Sequence, residues 1–238
     1  MRLPLACLTL SLLAACATPN TPTSAPEAPP PAAGDATAGQ PTSPCDWRTQ
    51  VLPADRNAAQ ATADQARARI PSAAGMPDYL GDDLKEESLR GIVLAHALLQ
   101  RAREPLPVGD VSGAWKVRSV QASGTSVYDY PFFNARIDRD DCGFSFRKTT
   151  GSQRRTGRLL SDTQTGQVNA LVFLGTATVN DNRTGDYGPG NPPTGTPAGS
   201  EGDRPVNSAG RLVRIGPDEL LMILDLDEDG FELYHLKR

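Results

Sequence analysis

Two textures divide the chain. Before Gly109 apolar positions recur at helical spacing, and beyond it they alternate in short runs separated by Gly, Asp, Ser and Asn. Pro53 opens a helix predicted over 54–70, rich in Ala, Gln and Arg, and Pro71 stops it. A second helix is predicted over 82–104, with Asp82 or Asp83 as its cap. Leu84, Ser88, Gly91, Ile92, Ala95, Leu98, Leu99 and Ala102 make its apolar face, and Pro105 and Pro107 end it. The later segments read as strands over 112–121, 130–138, 143–149, 155–160, 167–179, 208–215, 219–226 and 231–237. Eleven of the thirteen aromatic residues lie in this second region, which places most of the core there.

The fold class expected is α+β: two N-terminal helices packed on an antiparallel β-meander of about eight strands, within one globular domain over 45–238. Such a meander removes its open edges by closing into a small barrel or curling strongly. Two packed sheets are the alternative. Residues 180–205 are rich in Gly, Pro, Asn and Thr and are expected to form a mobile loop.

The first residues have a different pattern. Arg2 precedes an apolar run over 3–13, too short to span a bilayer, and Leu13-Ala14-Ala15-Cys16 resembles a lipobox. The expectation is a signal peptide over 1–15, cut before Cys16, with lipid on the Cys16 thiol holding the protein to a membrane. Ala17 rather than Asp after the lipidated cysteine favours, by resemblance to bacterial sorting, the outer membrane and a domain facing the periplasm. From Ala17 to Pro44 the chain is Pro-, Ala- and Thr-rich with almost no large apolar side chain, a composition expected to form a disordered tether about 30 Å across.

Charge and cysteine content narrow the classes. The formal charge of −4 becomes −5 once Arg2 is removed, and no large basic block occurs, so nucleic acid is not an expected partner. Cys45 and Cys142 remain after the anchor, and an oxidising envelope favours a disulfide between them over two free thiols. Two cysteines and two histidines without a C-x-x-C or H-E-x-x-H spacing do not make a zinc site. No cofactor is expected.

Several segments carry candidate chemistry. Arg147, Lys148, Arg154, Arg155 and Arg158 gather positive charge about one predicted hairpin, with Gln153 at its turn. Arginine suits bidentate capture of anions such as lipid headgroups, lipopolysaccharide phosphates or peptidoglycan carboxylates, while a solvated hairpin explains the same letters. Gly113-Ala114-Trp115 looks like the G-x-W that opens lipocalins, where the tryptophan plugs one barrel end. That would imply a carrier of a small apolar ligand, whereas a tryptophan on a strand also serves simply as core.

Asp225, Asp227 and Asp229 match the first half of a calcium loop, but Leu236 stands where the twelfth ligand belongs, and an Asp-Gly turn accounts for the pattern. Neither His96 nor His235 lies in a catalytic motif, and the pairs Asp82-Asp83 and Glu86-Glu87 read as charges at a helix start. No catalytic residue is assigned.

Motifs in order along the chain carry a family resemblance. They are Asp46-Trp47-Arg48, Pro53-Ala54-Asp55-Arg56, Phe146 to Arg154 with Gly157, Val172-Phe173-Leu174-Gly175, and Arg214-Ile215-Gly216. Together they resemble the proteobacterial envelope family catalogued as domain of unknown function 4893, over Cys45 to Lys237. The resemblance implies a fold unit and a compartment, and no reaction. The functional expectation is a non-catalytic binding or structural component of the envelope, contacting another envelope molecule or protein. A lipocalin-like carrier is the alternative, and an enzyme with a spatially assembled site the third reading.

Overall fold

The computed structural model describes residues 43–77, 80–162, 168–200 and 202–238. The expected signal segment, Cys16 and the expected tether as far as residue 42 lie outside the described residues. The element order is α1 (Trp47–Gln50), α2 (Arg56–Ala59), α3 (Ala63–Ala68), α4 (Asp82–Ala102), then β1 (Gly113–Ser123), β2 (Ser126–Asp129), β3 (Phe133–Asp140), β4 (Gly143–Lys148), β5 (Gln153–Ser161), β6 (Ala170–Val179), β7 (Val206–Gly216), β8 (Glu219–Leu224) and β9 (Gly230–Lys237).

Eight of these strands close an antiparallel barrel in the order β1-β3-β4-β5-β6-β7-β8-β9, and β9 returns to β1. Closure runs from Lys116↔Lys237 to Ser123↔Gly230. The ninth strand, β2, continues the line of β3: β1 pairs with β3 through Gly113–Val117 and with β2 through Val120–Ser123. Helix α4 covers β2, whose Val127 amide donates to Ser88 Oγ at 2.9 Å. Gly91 makes that approach possible, because a Cβ there would stand 2.5 Å from the Val127 carbonyl oxygen. An edge that would otherwise be open is thus capped by a helix.

Side chains alternate between the inside of the barrel and its outer surface. Val108, Val111, Trp115, Val117, Ile137, Phe144, Phe146, Phe173, Leu212, Leu220, Met222 and Leu236 fill the interior. Gly157 and Gly175 face each other across β5 and β6 with the Phe173 ring against both; a Cβ on Gly157 would lie 2.5 Å from Gly175 Cα and 2.7 Å from the ring. The outside is covered in two places. Helices α3 and α4 pack on Val120, Val213, Leu221, Ile223 and Leu233, while Trp47, Val51, Ala58 and Ala59 pack on Leu160, Val172, Leu174 and Ala209.

Several expectations need correction. The single helix over 54–70 is instead a 3-10 turn over Pro53–Asp55 followed by α2 and α3. Thr62 and Gln65 form a capping box that starts a new helix inside the Ala-rich run. Gly81, not Asp82 or Asp83, is the cap position of α4, and Leu84 is exposed while the other seven residues of its predicted face are buried. The strand β2 was absent from the sequence reading, and its four residues are too few to show a period.

Among its described residues the loop over 180–205 is hydrogen-bonded to the rest of the domain at several points. The Tyr187 hydroxyl donates to Asp55 Oδ2 at 2.6 Å and accepts from the Leu52 amide at 3.0 Å. The Thr194 amide donates to Asp55 Oδ1 at 3.1 Å, and the Asn207 side chain brackets Gly188 and Asn191. Cys45 and Cys142 are bonded as a disulfide.

Candidate functional site

The barrel has unlike ends. At one end Trp115 closes the interior, its indole N–H donating to the Val111 carbonyl at 2.9 Å, with the Arg238 guanidinium 4.4 Å from the ring centre. Trp115 is a buried core residue near the start of β1. The space behind it holds Phe146 with the rings of Phe173 and Tyr234 each 6.0 Å from it, where an apolar cargo would have to sit.

At the other end the interior turns polar. Arg155, buried on β5, donates through Nε to Ser208 Oγ at 2.8 Å and through Nη1 to the Tyr234 hydroxyl at 3.0 Å. It also pairs with Glu232 through Nη1 and with Asp225 through Nη2. Burial opposes the Arg155 charge, but Glu232 and Asp225 outweigh it and keep the guanidinium protonated. Asp225 stands at φ 53°, in the left-handed region that aspartate tolerates, and so turns its carboxylate inward. Its Oδ1 accepts from Ser208 Oγ at 2.8 Å and from the Ala209 amide at 3.2 Å.

Around this triad the remaining polar groups interlock. Glu232 Oε1 accepts from the Ser119 hydroxyl and, at 3.2 Å, from Gln121 Nε2. Gln121 Nε2 also donates to Gln153 Oε1 at 2.6 Å, and Tyr130 donates its hydroxyl to Gln121 Oε1 at 3.3 Å. Lys148 is buried between Phe133 and Tyr234, 4.7 and 5.6 Å from their ring centres, and donates to the Gln153 carbonyl at 2.5 Å. Burial lowers Lys148 to about 8, with Arg155 and Arg154 adding to the effect and Glu232 opposing it. Above the network lies a cleft of about 430 Å³ at the barrel mouth, walled by Gln121, Gln153, Arg155 and Glu232 and, from the loop, by Gly195 to Ala198.

The expected basic cluster is separated by the strand alternation. Lys148, Gln153 and Arg155 point inward to the mouth. Arg147 is exposed on the outer surface. Arg154 borders the cleft at its rim, donating to the Gly151 carbonyl at 3.1 Å and pairing with the exposed Asp181 at 2.9 Å. Arg158 also lies outside, 3.9 Å from Asp140 and bonded to Gln50 of α1 at 3.3 Å. No single basic surface results, because neighbours on a strand face opposite ways.

The Asp225–Asp229 segment divides similarly. Asp225 is bound to Arg155, while Asp227 Oδ1 accepts the amides of Asp229 and Gly230 at 2.8 and 2.9 Å. Among the described residues no group of three His, Cys, Asp or Glu is placed to hold a metal ion. His96 is exposed on α4. His235 is buried on the outer surface of β9, with Nε2 3.0 Å from Glu219 Oε2 and no partner for Nδ1 among the described residues. Glu219 meets Arg101 of α4 at 2.7 Å on the same oxygen. Burial there is outweighed by the bonds from Arg101 and His235, which hold the Glu219 carboxyl down at about 2.

The sequence reading missed Ser119, Gln121, Ser208, Glu232 and Tyr234. One signal was available: Glu232 sits inside the apolar run from Phe231 to Leu236, where an isolated charge must find a buried partner.

Fold and site together define a closed β-barrel with a side-chain-filled interior and one polar, ion-paired mouth. The chain belongs to the family described as Domain of unknown function (DUF4893), which it matches over residues 47–231. Comparison with curated proteins and with solved structures found no match to the chain. The residues that carried the resemblance serve largely to build the fold. Asp46 caps α1, Trp47 packs on the barrel, and both Trp47 and Arg48 reach Asp162, which Arg211 also binds at 3.0 Å. Asp55 is the clasp of the loop, and Gly157 and Gly175 make room for Phe173.

Proposed function

We propose that this protein is a lipid-anchored envelope lipoprotein whose barrel is a non-catalytic binding module, with the polar mouth as its contact site. The observation that carries the binding role is the cleft itself, where Arg155, Gln121, Gln153 and Glu232 converge above a filled apolar core. A concave site of a few hundred Å³ with fixed, convergent polar groups is the usual form of a ligand site. The anchor rests on Leu13-Ala14-Ala15-Cys16 and the apolar run before it. Attachment through Cys16, to the outer membrane on its periplasmic side, would present the mouth to other envelope molecules.

Two experiments test the two parts. Cys16→Ser should move the full-length protein from the membrane to the soluble fraction and abolish incorporation of labelled fatty acid; retention on membranes overturns the anchor. A photo-crosslinking residue at Ala198, in the cleft wall, should yield a discrete adduct in intact cells that Arg147, on the outer surface, does not yield. Equal labelling from both positions overturns the mouth as the contact site.

A further inference from the structure

Given the mouth as the contact site, we infer that its ligand is an uncharged, hydroxyl-rich chain, in chemical class a neutral saccharide. The argument begins with charge. The cleft is lined by two guanidiniums, Arg154 and Arg155, and four carboxylates, Asp225, Asp227, Asp229 and Glu232. Both guanidiniums are already engaged, Arg155 by Asp225 and Glu232 and Arg154 by Asp181. At Arg155 an anion would therefore have to displace a carboxylate paired in a desolvated setting and leave it without a counter-charge, while at Arg154 it would compete with the exposed Asp181 at a solvated pair, which contributes little. A cation would be held only by Asp227 and Asp229 at the solvated rim, where ion pairs contribute little.

What the cleft does offer is neutral hydrogen bonding from planar groups held in place. Gln121 is fixed by bonds to Gln153, Glu232 and Tyr130. Gln153 Oε1 is used by Gln121, while its Nε2 has no partner among the described residues and keeps two donors for a ligand. Side-chain amides with fixed orientation suit neighbouring hydroxyls, which both donate and accept. Ala177, Pro197 and Ala198 add an apolar wall against which the C–H face of a sugar ring can lie. The volume of about 430 Å³ falls within the range of small-ligand sites.

The test uses the purified full-length protein and ligand-observed saturation-transfer NMR at millimolar ligand. The neutral probes are maltotriose, cellotriose and triacetylchitotriose, which differ in linkage and in the presence of acetamido groups; inorganic phosphate and spermidine are the charged probes. At least one neutral trisaccharide should receive saturation, and neither charged probe should. Gln153→Ala should weaken that binding about tenfold, in line with losing one or two hydrogen bonds. Ala198→Trp, a change in the loop wall, should abolish binding with the thermal melt unchanged. Silence from all three trisaccharides, or binding of phosphate or spermidine in their place, overturns the ligand class. If the trisaccharides fail while Ala198→Trp still removes the cellular crosslink, now read from a probe at Ser123, the class is wrong and the mouth stands. If Ala198→Trp leaves that crosslink intact, the mouth itself is wrong.

Discussion

Arg155 on β5 and Glu232 on β9 bind each other across the full width of the barrel. Four strand-to-strand steps separate β5 from β9 in either direction round the closed sheet, so the pair joins opposite walls. Asp225, just past the end of β8, shares the same guanidinium. The polar mouth is thus cross-braced where the apolar packing of the interior gives out.

Removing the brace should therefore cost more than its net contribution. Arg155→Met leaves Glu232 and Asp225 buried without a counter-charge and should lower stability by about 3–5 kcal/mol. Arg155→Met combined with Asp225→Asn and Glu232→Gln should recover much of that loss. Urea unfolding of the three proteins reads this directly. A single variant as stable as the parent would mean that the carboxylates find water or protons without Arg155.

The contact between Gly157, Gly175 and Phe173 gives a second prediction. Gly157→Ala places a methyl group 2.5 Å from Gly175 Cα and 2.7 Å from the Phe173 ring. Overpacking of this kind costs about 1–3 kcal/mol. Phe173→Leu should relieve part of the strain in the Gly157→Ala background, so the two changes should be less than additive. Additive losses in thermal melts would show that the ring is not what the glycines accommodate.

Much of the fold was legible in the sequence where one physical period dominated. Helix α4 lays a single face on the barrel, so Ser88, Gly91, Ile92, Ala95, Leu98, Leu99 and Ala102 could be read from their spacing. The limits of β6 and β8 were harder, since Ala170–Thr178 and Leu220–Leu224 are buried on both surfaces and lose the alternation of a half-exposed strand. The site was legible only in part. Sequence proximity grouped Arg147, Lys148, Arg154, Arg155 and Arg158, whereas the mouth is assembled from β1, β4, β5, β7 and β9 by closure of the sheet. Lys148, Arg155 and the adjoining Gln153 enter its polar network while Arg154 only borders it, and their partners lie up to 79 residues away in sequence.

Lys148 makes the stability depend on alkaline pH. Its folded value of about 8 is depressed from 10.5, so the folded protein resists the lysine charge more than the unfolded chain does. The stability it contributes is full above about 10.5 and is lost as pH falls through about 8. Between those limits the parent should gain stability relative to Lys148→Met as pH rises. Urea midpoints at several pH values across that window give the difference, and a flat difference would refute the assignment.

Asp55 supports a local prediction. Its buried carboxylate holds both Tyr187 and the Thr194 amide, so Asp55→Ala should release the loop while leaving the barrel intact. Trypsin should then cut after Arg183 several-fold faster, with little change in the melting of the remainder. Unchanged cleavage would mean that the Asn207 bonds alone secure the loop.

The disulfide has a mechanical consequence. Cys45 lies just before α1, and its bond to Cys142 enters the turn between β3 and β4. Any pull arriving along the chain ahead of Cys45 is divided there, and the covalent branch leads directly into a hairpin of the closed sheet. Load thereby bypasses α1 and Trp47, which would otherwise be peeled from the barrel first. Traction applied ahead of the first helix would thus meet its strongest joint at the edge of the folded body.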